Sequence, residues 1–185
     1  MKKIIRKEII KKRMQLTKKE VTEKSMAITQ RVIENKLIKD DMNILVYMDF
    51  RNEVKTTYLM NYIIKHNGHV LLPRVDKTTH ELSVHYVSSL DDLIKSDFGI
   101  LEPDENSPQA PYHSIDLILA PGVAFDHHCY RLGYGGGFYD KLLNQKRKEV
   151  PVIALAFDLQ LIEAVPAEPH DYKMNGIITE NEFIK

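Results

Sequence analysis

Between Ala120 and Asp140 the chain gathers residues that suit an anion. Four of its eight glycines fall in Gly133-Tyr134-Gly135-Gly136-Gly137, with Arg131 just ahead and Tyr139 and Asp140 just behind. Glycines admit positive φ and let backbone N–H groups approach a ligand closely. A helix starting near Phe138 adds unpaired N–H groups and a partial positive charge. Arg131 adds a planar donor fork that matches phosphate. The pattern is not a Walker A loop, because no Gly-Lys-Ser/Thr follows. It is not the dinucleotide fingerprint either, because Phe138 follows Gly133-x-Gly135-Gly136-Gly137. A plain glycine turn is the competing reading, yet such a turn has no use for Arg131, Tyr139 and Asp140.

Other candidates lie apart in sequence. Lys2 and Arg6, four residues apart, share a helix face with Arg13, Ile5 and Ile9. Like charges at that spacing cost a helix about 0.2–0.5 kcal/mol, which an anion between them would remove; a solvated basic helix end is the alternative. Glu53 is an isolated acid after a strand, in a position that a surface residue could equally fill. Asp140 falls in the first turn of a helix, where the dipole already favours it. It could also serve Mg²⁺, which commonly takes one or two carboxylates plus phosphate oxygens, with Asp171 as a second carboxylate. His127-His128-Cys129 has metal-ligating types, but adjacent side chains in an extended segment diverge. No partner base identifies Cys129 as a nucleophile.

These residues need elements to position them. The pattern predicts helices over 2–15, from a Thr17-Lys18-Lys19-Glu20 capping box to about Leu37, over 56–66 before Asn67-Gly68, and over 137–148. Strands are expected at Asn43–Met48, His69–Pro73, Leu82–Val87, Ile115–Ala120, Val152–Phe157 and Gly176–Thr179, with a short helical turn at 159–164. Residues 96–114, with three prolines, read as an irregular surface excursion within one domain over 1–185. Strands alternating with helices imply an α/β protein with a mainly parallel, Rossmann-like sheet covered on both faces. Ligands in such sheets bind outside the C-terminal strand ends. The loops at Met48–Glu53, Pro121–Gly137 and Phe157–Asp158 leave such ends, and the first two could face one crevice.

Composition narrows the rest. With 26 basic and 26 acidic residues the net charge is zero, which points to neither nucleic acid nor a membrane surface. The charge is unevenly spread: residues 1–24 hold ten Lys/Arg against three Asp/Glu, and residues 91–105 hold six Asp/Glu against one Lys. The single cysteine permits no internal disulfide and fits a reducing cytoplasm. No membrane span or signal peptide is evident.

Taken together, Pro121-Gly122-Val123-Ala124-Phe125-Asp126 and Arg131-Leu132-Gly133-Tyr134-Gly135-Gly136-Gly137-Phe138-Tyr139-Asp140 closely resemble the 5-formyltetrahydrofolate cyclo-ligase family. The resemblance runs the full length, through Lys2-x-x-x-Arg6, Asn52-Glu53, Leu72-Pro73-Arg74 and Ala154-Leu155-Ala156-Phe157. It implies a three-layer α/β/α sandwich and an ATP- and Mg²⁺-dependent enzyme making 5,10-methenyltetrahydrofolate from 5-formyltetrahydrofolate, with or without a polyglutamate tail. By the same resemblance Lys2, Lys3, Arg6 and the run Arg131 to Tyr139 would hold ATP, with Arg131 catalytic. Asp140 and Asp171 would hold magnesium, and Met48, Phe50 and Glu53 would hold the folate. Some members carry a second basic residue in the glycine loop, where this chain has Tyr134 and Gly136. The expected protein is a cytoplasmic monomer. Two rivals remain at this point: a sugar-phosphate or acyl-transfer enzyme using the loop without ATP, and a non-catalytic nucleotide-binding protein.

Overall fold

A computed structural model describes residues 1–97, 99–168 and 171–185. In chain order the elements are α1 (Lys2–Met14), α2 (Lys18–Glu34), β1 (Asn43–Leu45), α3 (Thr57–Lys65), β2 (His69–Asp76), β3 (Glu81–Val87), β4 (Ile94–Lys95), β5 (Leu101–Glu102), β6 (Leu117–Ala120), β7 (Ala124–Phe125), β8 (Arg131–Leu132), α4 (Phe138–Gln145), β9 (Val152–Leu155), β10 (Gly176–Ile178) and β11 (Phe183–Ile184). Thr17 and Glu20 close the expected capping box at the start of α2. That helix stops short of Leu37 because Lys36 turns left-handed, at φ 52°. Asn67 takes the left-handed position that ends α3, and Gly68 N donates back to Ile63 O.

One seven-stranded sheet runs in the order β11-β10-β9-β6-β1-β2-β3. Its five central strands are parallel and both edge strands antiparallel. The antiparallel β3 follows from its short connection: four residues separate it from β2, too few for a crossover. Pro73 is tolerated inside β2 because β1 pairs with that strand only as far as Leu71.

Strand alternation divides the core. Ile44, Val70, Leu117, Leu119, Ile153 and Ile178 face α2 and α3, packing on Val21, Ile28, Val32, Leu59, Met60 and Ile63. Their neighbours Leu45, Leu71, Ile118, Val152 and Ile177 face the other way, onto Leu142 and Leu143 of α4. These are the three layers. Helix α1 joins neither face; Ile9 packs on Val123, Ala124, Leu132 and Val165 at the end of the sheet.

The segment expected to be one long loop after β6 contains a two-stranded ribbon, β7 with β8. Asp126, 1% exposed, organises it: its carboxylate accepts backbone N–H groups from His128, Tyr130 and Val165. An asparagine there would aim an amide donor at one of these N–H groups. Asp126→Asn is therefore expected to lower the melting temperature by roughly 5 °C, read by thermal denaturation. Residues 96–114 also depart from expectation, since β5 pairs with β4 in a hairpin whose 100–102 stretch lines a cavity. The chain also ends in an unforeseen strand, β11. Among the described residues, no helix is long and apolar enough to cross a membrane.

Candidate active site

The chain leaves β1 toward β2 on one side and leaves β6 toward β9 on the other, so the direction of winding reverses between β1 and β6. At such a reversal the loops beyond the strand ends part and leave a crevice. Here it is a cavity of 820 Å³. The loops after β1 and β6 form two of its walls, and the β4–β5 hairpin, through Ser96 and Ile100–Glu102, forms part of a third. The third loop, Phe157–Asp158, is not among the lining residues. Phe157 is buried in the core, and Asp158 N donates to Glu180 Oε2.

One end of the cavity is basic and glycine-rich. Arg131 lies on β8 with its side chain 6% exposed, donating to Pro121 O (3.3 Å) and Asp140 Oδ1 (2.7 Å) and lying over the Tyr139 ring. Gly122 permits this, since a Cβ there would meet the Arg131 Cγ at 2.9 Å. Arg6 reaches from α1 across the glycine loop. Its Nε donates to Gly133 O (2.7 Å), and its guanidinium rests against Gly135, whose φ is +100°. Lys2 Nζ approaches Glu168 Oε1 (2.7 Å) and Asp171 Oδ2 (3.4 Å).

The other end is apolar with one buried acid. After β1 the backbone turns through Arg51 and Asn52, both left-handed at φ 48° and 55°. Such residues cost about 1–3 kcal/mol each and persist only when the surroundings hold them. Asn52 Nδ2 donates to Arg13 O and Leu16 O at the end of α1, and Arg13 Nε donates to Arg51 O. The turn folds Glu53 inward, 5% exposed, where its Oε2 accepts from Phe50 N (2.9 Å) and its Oε1 from the Tyr134 hydroxyl (2.7 Å). Burial pushes its carboxyl up to about 7, against Arg13, the Tyr134 hydroxyl and the Phe50 N–H, which hold it down. Tyr139 projects between the two ends, its hydroxyl buried and without a hydrogen-bond partner among the described residues.

Of the residues singled out from the sequence, Lys2, Arg6, Met48, Phe50, Glu53, the run Arg131 to Tyr139, Asp140 and Asp171 all line this cavity. Lys3 is exposed and is not among the lining residues. His127 and Cys129 diverge: the first pairs with Glu182 at 3.3 Å, and the second is buried under the ribbon. The sequence marks Arg13 only by its helix face. Its complete burial, 0% exposed, carried no sequence signal beyond its share of the face of Ile5 and Ile9.

A cationic glycine-loop end thus faces a buried acid across one cavity. The sequence model of the 5-formyltetrahydrofolate cyclo-ligase family matches residues 1–180. The chain belongs to that family. Among cyclo-ligases it is 34% identical to the Haemophilus influenzae enzyme over 143 residues, 74% of each chain. It is 29% identical to a probable cyclo-ligase of Caenorhabditis elegans, over 83% of this chain and 80% of the relative. The solved structure of Aquifex aeolicus 5,10-methenyltetrahydrofolate synthetase superposes with a TM-score of 0.84 at 30% identity, covering 100% of this chain and 92% of that one. The cyclo-ligase fold is thus the α/β sandwich described above.

Proposed function

We propose that this cyclo-ligase joins the N5-formyl carbon of 5-formyltetrahydrofolate to N10, giving 5,10-methenyltetrahydrofolate while ATP becomes ADP and phosphate. The observation that carries this reading is the single cavity with two unlike ends, one suited to phosphates and one to a flat heterocycle with paired N–H donors. A formyl amide is a poor electrophile, and its oxygen is a poor leaving group. Phosphoryl transfer from ATP to that oxygen supplies the activation; N10 then attacks the carbon, the oxygen departs with the phosphate, and N10 loses its proton.

The chain's residues have distinct tasks in this scheme. Arg131, Arg6, Lys2 and the N–H groups of the glycine loop hold and neutralise phosphate oxygens, which is most of what phosphoryl transfer requires of a protein. Glu53 accepts the lactam N–H and the amino group of the pterin, while Met48 and Phe50 cover its face. No side-chain nucleophile is needed. Asp140 and Asp171 come from different segments and line one cavity, a donor set that fits Mg²⁺ completed by phosphate oxygens. Bound there, the ion would offset phosphate charge. In the structure Arg131 pairs with Asp140 and Lys2 with Asp171. With phosphates beside Arg131 and Lys2, one ion held by Asp140 and Asp171 would take the place of these cations beside the two acids.

The lone free thiol, Cys129, suits work in a reducing cytoplasm. Purified protein should form the methenyl product and ADP from 5-formyltetrahydrofolate only with Mg-ATP. Product without ATP, or ATP binding without product, would replace this reading with one of its rivals. Gly135→Ala tests the loop. At φ +100° its methyl strains the backbone by about 1–3 kcal/mol and meets the Arg6 guanidinium at 3.4 Å. The expected result is a raised KM for ATP with the KM for folate little changed.

A further inference from the structure

The structure assigns Arg13 as a positioning residue for the folate acid: through the Tyr134 hydroxyl it fixes the orientation and charge of Glu53. This rests on Glu53 meeting the pterin, as proposed above. Arg13 does not line the cavity and is fully buried, so it cannot itself touch either substrate.

Its burial calls for a reason. Removing a guanidinium from water costs several kcal/mol unless its donors are matched, and an apolar side chain could equally pack α1 against the ribbon beside Ile9. The donors are matched in a particular way. Nε gives to Arg51 O (2.9 Å), on the strained turn that carries Glu53. One terminal nitrogen gives to Gly122 O (3.3 Å) and stands 4.0 Å from Glu53 Oε1. The other gives to the Tyr134 hydroxyl oxygen (2.5 Å). One side chain thus ties α1 to the loop after β1, the loop after β6 and the glycine loop.

The consequence for Glu53 follows from donor counting. Arginine is a donor only and stays charged. With its oxygen occupied by Arg13, the Tyr134 hydroxyl directs its own proton to Glu53 Oε1, 2.7 Å away. Phe50 N takes Oε2. Of a carboxylate's roughly four lone-pair sites, two are occupied, leaving one on each oxygen for the paired N–H groups of a pterin. The groups facing Glu53 from every packed element are Arg13 on α1, Tyr134 on the glycine loop, Asp49 on its own segment, Tyr47 just past β1 and Tyr139 on α4. Arg13 is the cation among them. Without it or the hydroxyl it orients, Glu53 would take up its proton at higher pH, and a protonated carboxyl can no longer accept both pterin donors.

The test measures affinity for 5-formyltetrahydrofolate from about pH 5.5 to 9 in wild type, Arg13→Met, Arg13→Lys, Tyr134→Phe and Glu53→Gln. Wild type should lose affinity below a limb near the Glu53 transition. Arg13→Met and Tyr134→Phe should move that limb up by about one unit or more, so that folate affinity drops severalfold at neutral pH and recovers at the alkaline end. Arg13→Lys, which keeps the charge, should move it less. A merely structural Arg13 would lower affinity equally at every pH. If Arg13→Met fails to fold, Arg13→Lys and Tyr134→Phe decide. A wild-type limb in both overturns the assignment while leaving Glu53's role intact, provided Glu53→Gln abolishes the limb. A limb that persists in Glu53→Gln, or no folate binding by wild type, overturns the reading beneath it.

Discussion

Arg131→Ala should lower turnover by about 10²–10³-fold at saturating folate and Mg-ATP, the loss of about 2.7–4 kcal/mol expected when one preorganised donor to developing charge is removed. The structure explains why this arginine should matter more than the many basic residues of α1. Its side chain is almost fully enclosed, and Pro121 O and the Tyr139 ring hold the plane of its fork in place. It therefore has little rotamer freedom left to lose when it meets phosphate. Arg131→Lys keeps a charge but not the planar fork, so its kcat should fall between those of wild type and Arg131→Ala. Melting temperatures of both variants separate a folding defect from a chemical one. Undiminished kcat in a folded Arg131→Ala protein would remove Arg131 from the reaction.

Glu53→Gln carries the second large effect, in affinity and in stability together. Replacing the carboxylate removes charge-assisted hydrogen bonds worth about 1.5–3 kcal/mol each, so folate binding should weaken by ten- to a hundredfold or more at pH 8. Stability should respond in the opposite sense. The Glu53 carboxyl rises from 4.5 to about 7 on folding. Between those values the folded chain holds a proton that the unfolded chain has released, so stability falls as pH rises through the window. The full loss is on the order of 3 kcal/mol. Denaturant titrations at about pH 5 and pH 8 should show that decline in wild type and a flatter profile with glutamine. Equal declines in both proteins would mean that Glu53 is not the group held uncharged by burial. The site thus keeps an acid that its buried surroundings disfavour, as the proposed role of meeting a ligand with matching donors requires.

Much of the fold was legible because its signals are local. A capping box, a helix stop at Asn67-Gly68 and uninterrupted aliphatic strands each depend on neighbours within a few residues. Elements with strands of only two residues were not legible. The β7–β8 ribbon hides inside a glycine-rich stretch because its two-residue strands carry no period. The β4–β5 hairpin hides in an acidic, proline-rich run, because its two-residue strands likewise carry no period. Asp126 shows the same limit from another side. It stands in the motif that carries the family resemblance, yet its three backbone partners make it a structural brace.

For the candidate site, the sequence by itself determined the chemistry on offer: a glycine loop with Arg131 before it, an acid at each of positions 53, 140 and 171, and a basic first helix. Residue type and short spacing suffice for that, because donors, acceptors and flexible backbone are properties of the local chain. Only the tertiary structure decided which of these meet. The reversal of winding between β1 and β6 brings Glu53 and Arg131 to one cavity, and the packing of α1 on the ribbon delivers Arg6 to the glycine loop and Lys2 to the same cavity. That same packing buries Arg13 behind Tyr134 and Glu53. A lone arginine on a basic helix is indistinguishable in sequence from its solvated neighbours, since what sets it apart is desolvation, and desolvation is a property of everything that surrounds a side chain in space.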